Sequence, residues 1–258
     1  MDSPHLREAS LKRIHSDELV IVKLANLKFL IKKIYCSALT RTLFGVALLL
    51  LPFGQIQKTL AKPKLAEQSA ISELIKQGLV KISKGEPEQA LLDARKAIEK
   101  DSNAAEAYFL LGRAEQDIGL KSEALKSYTR AIELNPKYTK AYSNRALVKG
   151  SVGDMNGAIN DLNRAILIDP KYATAYLNRG VTHGAMGNKK AAIQDFDRAI
   201  KANPRYSDAY RNRGITKELI GNITEACSDW KTAASLGQKD AKIWYQNQCL
   251  KTVINLPR

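Results

Sequence analysis

The chain has 258 residues, of which 41 are Lys or Arg and 26 are Asp or Glu, for a net charge of +15, and 45% are apolar. That apolar share fits a folded chain, while three cysteines, Cys36, Cys227 and Cys249, with no CxxC pair exclude a disulfide framework and the usual zinc and redox spacings. The positive charge is spread along the chain and forms no stripe interleaved with stacking aromatics, so weak attraction to anionic partners is expected and nucleic-acid binding is not.

Residues 1–41 form a basic leader. Lys23, Lys28, Lys32, Lys33 and Arg41 precede an uncharged stretch, 42–57, that contains the run Leu43-Phe-Gly-Val-Ala-Leu-Leu-Leu-Leu-Pro-Phe53. Its 16 residues fall short of the roughly 20 that a spanning helix needs and match the apolar part of an export signal behind a basic segment. The expectation is an N-terminal signal or membrane anchor, with an amphipathic or buried helix as the alternative. The cationic flank would place the C-terminal remainder of the chain across the membrane. Residues 58–70, with Pro63, read as a polar linker.

From residue 71 the landmarks return every 34 residues. Gly85, Gly119, Gly153, Gly187 and Gly221 form one column. Ala90, Ala124, Ala158, Ala192 and Ala226 form another, and Ala97, Ala131, Ala165, Ala199 and Ala233 a third. Within a unit the apolar spacing is helical: Tyr142, Arg145, Ala146 and Lys149 share one face, and Ala158, Leu162, Ala165 and Ile166 share another. Gly153-Asp154 separates the two segments, and Asp169-Pro170 ends the second, because proline cannot continue a helix. The pattern predicts five helical hairpins, at 71–104, 105–138, 139–172, 173–206 and 207–240, with a capping helix at 241–252 and a tail at 253–258. The fold class is all-α, an α-solenoid whose core lies between neighbouring units.

The period and its aromatic–Gly…Ala…aromatic…Ala…Pro pattern resemble the tetratricopeptide repeat (TPR) family across residues 71–250. The first unit departs from it, with Leu74, Ala94 and Ser102 at positions where the pattern has an aromatic, a large residue and proline; atypical ends suit caps. The family usually has leucine where this chain has Arg145, Arg179 and Arg213. Sixteen residues after each stands Asp161, Asp195 or Asp229, whereas the unit with Leu111 has Ser127. Repeated ion pairs between the helices of a hairpin are therefore expected, since a guanidinium can meet a carboxylate with two hydrogen bonds.

The resemblance also implies that first helices line a concave groove that holds peptides. By position, Asn144, Asn178 and Asn212 make a ladder there, joined by Phe109, Arg113, Lys140, Leu177 and Arg211. Asparagine amides can donate to and accept from a peptide backbone. The carboxylate clamp of co-chaperone members is missing, as Phe109, Arg113, Ser143, Leu147 and Thr174 stand at its positions.

No nucleophile–base pair, phosphate loop or metal spacing is present, and His183 reads as a packed residue, so neither catalysis nor a cofactor is expected. Cys227 and Cys249 fall in apolar columns and read either as small core residues or, in an oxidising compartment, as an interhelical disulfide. The ending ACSDWKTAASLGQKDAKIWYQNQC resembles endings of bacterial, particularly cyanobacterial-type, members, which points to periplasm or thylakoid. The favoured function is a non-catalytic scaffold or assembly factor for a protein partner, membrane-anchored or exported, with homo-oligomerisation left open. A cytoplasmic adaptor module, which could serve a nucleic-acid-linked system, is the alternative.

Overall fold

In the computed structural model the described residues are 53–250, with side chains described from residue 67. The chain divides at Ala66, and the repeats lie in the second unit, Glu67–Arg258. Among the described residues the α-helices in chain order are α1 (Phe53–Lys84), α2 (Pro87–Lys100), α3 (Ala105–Ile118), α4 (Lys121–Leu134), α5 (Thr139–Ser151), α6 (Met155–Ile168), α7 (Ala173–Ala185), α8 (Lys189–Ala202), α9 (Ser207–Glu218), α10 (Ile223–Ser235) and α11 (Lys239–Trp244); a π-helical turn, Tyr245–Leu250, comes after them. No strand occurs among the described residues.

Two boundaries differ from the sequence expectation. Residues 58–70, read as a linker, are helical as part of α1; their Leu, Ala, Lys, Glu and Gln are good helix formers, and the helix runs through Pro63 despite the backbone hydrogen bond that proline removes. The cap begins at Lys239 rather than at 241 and changes to π geometry at Tyr245. The stretch 42–57 lies outside the described residues except for its last turn. Among the described residues no helix is long and apolar enough to cross a membrane.

Each hairpin turns at a glycine with positive φ, as at Gly187 (φ 80°), where a side chain would be strained. The break between units has its own local cause. Asn135, Asp169 and Asn203 leave helical geometry and accept a hydrogen bond from the backbone N–H two residues on, at 3.0, 2.9 and 3.1 Å. Each side chain thus mimics a backbone turn around the intervening proline. Asp101 does the same for Asn103 at 2.9 Å although Ser102 replaces the proline.

Packing within a hairpin depends on a matched pair of columns. A Cβ added at Gly112, Gly180 or Gly214 would sit 2.8 Å from Tyr128, 2.6 Å from Phe196 and 2.5 Å from Trp230 respectively. Where the second helix carries the smaller Leu162, the first carries Ala146, and both are buried. In the first unit the large residue is missing, since Ala94 stands there. Leu110 from α3 fills the space, fully buried beside Ala90 and Ala94 and against Gly78.

Neighbouring hairpins join in two ways. Each second helix from α2 to α8 packs on the next first helix, and the first helices α3, α5, α7 and α9 also touch in succession. Among the described residues, consecutive second helices make no comparable contact. The first helices are therefore the more closely spaced layer, and within the repeat unit the stack bends with them on its inner side. At the end, α11 and the π-turn close against α10 through Trp230 and Trp244, 5.7 Å apart, and Cys227 is joined to Cys249 with Cα atoms 5.7 Å apart.

The glycine–aromatic match is open to test by urea denaturation. Gly180→Ala should lose about 1–3 kcal/mol to overpacking, outweighing the roughly 1 kcal/mol that alanine gains in helix propensity. Adding Phe196→Leu, which reproduces the Ala146–Leu162 pair, should return part of that loss; a double variant less stable than Gly180→Ala alone would refute the match.

Candidate partner-binding groove

The inner layer is built from α1, α3, α5, α7 and α9, and its side chains divide into those that hold the stack together and those left on its surface. The arginines belong to the first group. Arg145 donates from Nε and Nη2 to Asp161 at 2.8 and 2.7 Å, Arg179 to Asp195 at 2.8 and 2.6 Å, and Arg213 to Asp229 at 2.9 and 2.5 Å. The carboxylates are buried, so they depend on these donors.

Each guanidinium has two further contacts that the sequence pattern does not reveal. Its Nη1 crosses to the preceding unit, donating to Thr129 at 3.0 Å, Asn163 at 2.6 Å and Asp197 at 2.5 Å. Its face lies over the tyrosine at the start of the same helix, with Tyr142, Tyr176 and Tyr210 at 5.6, 5.7 and 5.5 Å. For Arg213 burial works against the charged form, but hydrogen bonds to Asp229 and Asp197 outweigh it and hold the guanidinium's pKa above its ordinary value.

A second cross-link joins the same aspartate column to the eleventh residue of the unit. The pairs are Lys81–Asp93 at 2.6 Å, Lys149–Asp161 at 2.9 Å and Lys217–Asp229 at 3.0 Å. His183 takes this place in the fourth unit, 3.8 Å from Asp195. In the second unit the polarity is reversed, and Ser127 donates to Glu115 at 2.6 Å. Burial raises the Glu115 carboxyl above its ordinary pKa of 4.5, with the Ser127 hydroxyl opposing. Asp93 pairs with Lys81, while Gln77 bonds Glu73 on its own helix. The sixteen-residue spacing is visible in three units, but the twelve-residue one is obscured because its partners vary among Lys, Glu and His.

The groove residues require correction. Phe109 and Leu177 are buried and do not line a groove. Phe109 packs at 5.9 Å from Tyr128 and 5.0 Å from Tyr138, and Leu177 joins the core of Phe196 and Ala209. Their column faces the adjacent first helix, and burying such a side chain outweighs displaying it. Arg211 lies over the Trp244 ring at 5.4 Å and 3.6 Å from Asp240, so it braces the cap.

The asparagines are half-buried and already engaged. Asn144 and Asn212 donate to the carbonyls of Lys140 and Asp208 at 2.9 and 2.7 Å, and Asn178 reaches Ser143 of the preceding unit at 3.1 Å. These bonds use the amide nitrogen and not the carbonyl oxygen. Lys140 is exposed, and Arg113 lies 3.8 Å from Asp117.

The same helices also leave apolar side chains on the surface, which position within the repeat does not single out. Leu147 is 42% and Val181 46% exposed, and half-buried Ile215 continues their column. These positions are 34 residues apart, so equivalent points on successive first helices present an apolar stripe beside the asparagines. The column is visible in the sequence, but an apolar column reads there as core. Among the described residues no cluster of His, Cys, Asp and Glu could hold a metal ion.

A stack of antiparallel helical hairpins, fastened by repeated polar cross-links and offering an inner surface, defines a helical-repeat interaction protein. Comparison with known proteins gives the family. Residues 151–187 match a model of the TPR repeat, and 173–206 and 75–139 match tetratricopeptide repeat models. The crystal structure of MamA is similar at 30% identity and a TM-score of 0.54, over 64% of this chain and 96% of that one. Two more distant structures share the fold. PilF of Pseudomonas aeruginosa has 20% identity and a TM-score of 0.63 over 69% of this chain and 81% of its own. YrrB, a TPR protein with an unusual peptide-binding site, has 22% identity and a TM-score of 0.52 over 70% and 97%. No curated protein matches the chain. The chain belongs to the tetratricopeptide repeat family.

Two consequences of the cross-links can be measured. Removing the Asp195 carboxylate alone strands Arg179 and should cost about 3–5 kcal/mol, whereas replacing Arg179 and Asp195 together by leucine should cost less; equal losses would mean that the pair is not a coupled unit. Glu115 holds its proton more tightly when folded, so the wild type should lose stability as pH rises from about 4.5 through the raised value. Glu115→Gln should remove that slope, match or exceed the wild type at neutral pH, and lose any advantage in acid, as read by thermal melts across pH.

Proposed function

We propose that the protein is a non-catalytic scaffold or assembly factor that holds an extended segment of a protein partner along the inner face of its repeats. The observation that carries this reading is the exposed column of Leu147 and Val181 on the first helices, which are the more closely spaced layer. Apolar side chains exposed at the same point of successive helices offer a surface that a partner can cover. A bound strand would place alternate side chains on the stripe, while the carbonyls of Asn144, Asn178 and Asn212 accept from its backbone N–H groups. Family membership supports the same reading, and YrrB, of the same fold, has a peptide-binding site. The basic leader and the apolar stretch 42–57 behind it support a membrane-anchored or exported protein that works outside the cytoplasm.

Photo-crosslinking in the native host tests the groove. A crosslinker at position 147 and another at 181 should capture the same polypeptide, at sites a few residues apart. One at Leu167, which is 70% exposed on a second helix, should not. Equal capture from 167, or unrelated sites from 147 and 181, would set the groove reading aside.

A further inference from the structure

In the second, third and fourth units the last residue is a tyrosine, Tyr138, Tyr172 or Tyr206; in the first it is Ala104. The three tyrosines hold equivalent positions at the junction between units. Tyr138 packs on Phe109 at 5.0 Å. Burial pushes its phenol up, and the Glu106 charge adds to this. The Tyr172 phenol is also raised by burial, against the hydroxyls of Thr174 and Ser143. Burial raises Tyr206 as well, opposed by Thr174 and reinforced by Asp208. Taken over the three sites, these neighbours fall at the second and fifth residues of the tyrosine's own unit and the second residue of the next, with different residue types at each site.

Between the first and second units those places belong to Ser72, Ile75 and Glu106. With Ala104 they line a cavity of about 390 Å³, to which Ile71 and Asp101 also contribute. Ala94, the other large-to-small departure of the first unit, is compensated by Leu110. Ala104 has no such compensation: among the described residues nothing fills the tyrosine's place. The lining includes two carboxylates and no Lys or Arg.

We propose that this cavity seats an aromatic side chain of a protein partner, carried beside a Lys or Arg. The repeat supplies the shape argument, because equivalent positions accept a tyrosine three times in this chain. Charge supplies the second. Asp101 spends one carboxylate oxygen on the Asn103 N–H, and exposed Glu106 can meet a cation at the rim. A buried aromatic anchor in a preformed pocket is the kind of contact that dominates binding energy. The site is separate from the Leu147–Val181 stripe, and neither the probes nor the variants that test it touch that stripe.

The test uses the full chain with labelled isoleucine δ1 methyls and two probes, tyramine and 4-hydroxyphenylacetate, which carry the same phenol with opposite charge. Tyramine should shift the Ile71 and Ile75 methyls saturably, and 4-hydroxyphenylacetate should bind more weakly. Ala104→Tyr should abolish both responses, keep the helical circular dichroism and raise the thermal midpoint by filling the space. Ala104→Leu serves as a smaller filler if the tyrosine variant fails to fold. Methyls that stay silent in the wild type, as they would with an aromatic of the chain itself already seated, would overturn the proposal. So would shifts that survive the filling variants, or an anion that binds as tightly as the cation.

Discussion

The architecture depends on how closely the two helices of a hairpin can approach. At Gly112, Gly180 and Gly214 the first helix has no side chain, and Tyr128, Phe196 or Trp230 occupies the vacated volume. That contact sets the spacing of the pair, which in turn places the arginine and aspartate columns within hydrogen-bonding reach. A close-packed interior transmits a change of even one methyl group, so glycine and aromatic must change together. Ala146 with Leu162 is the complementary arrangement, with one methyl more on the first helix and a smaller side chain on the second.

The polar cross-links then determine which charges remain for function. Arg145, Arg179 and Arg213 satisfy a buried aspartate, reach the preceding unit and cover a tyrosine. Such a guanidinium does several structural tasks with one planar group, which lysine could not do. Desolvation limits what each pair contributes to net stability. Its larger effect is on register, because the second helix of one unit must sit where the arginine of the next can reach it. These three arginines are thereby committed, and Leu147, Val181 and Lys140 are among the side chains left exposed on the first helices.

The first unit shows how a repeat tolerates irregularity. Losing a large residue at Ala94 is repaired from the adjacent helix, because Leu110 replaces the asparagine found there in later units. Losing tyrosine at Ala104 is not repaired, and a cavity remains. Two substitutions of similar size in one unit thus have opposite outcomes, decided by whether a neighbouring side chain can reach the space.

The sequence by itself determined the period, the hairpins, the glycine turns and the pairing of Arg179 with Asp195. Each depends on local spacing or on a column repeated within one chain. Tertiary structure alone decided which apolar columns face inward. Phe109 and Leu177 on one column are buried, while Leu147 and Val181, one helical turn further, are exposed, and no periodicity separates two stripes on the same apolar helix. It also decided that Arg211 belongs to the cap, that Lys81, Lys149, His183 and Lys217 share the aspartate column, and that Ala104 leaves a void. These facts depend on contacts between residues of different helices, often of different units, and a contact across units becomes definite only when the stack bends and each first helix comes against the next.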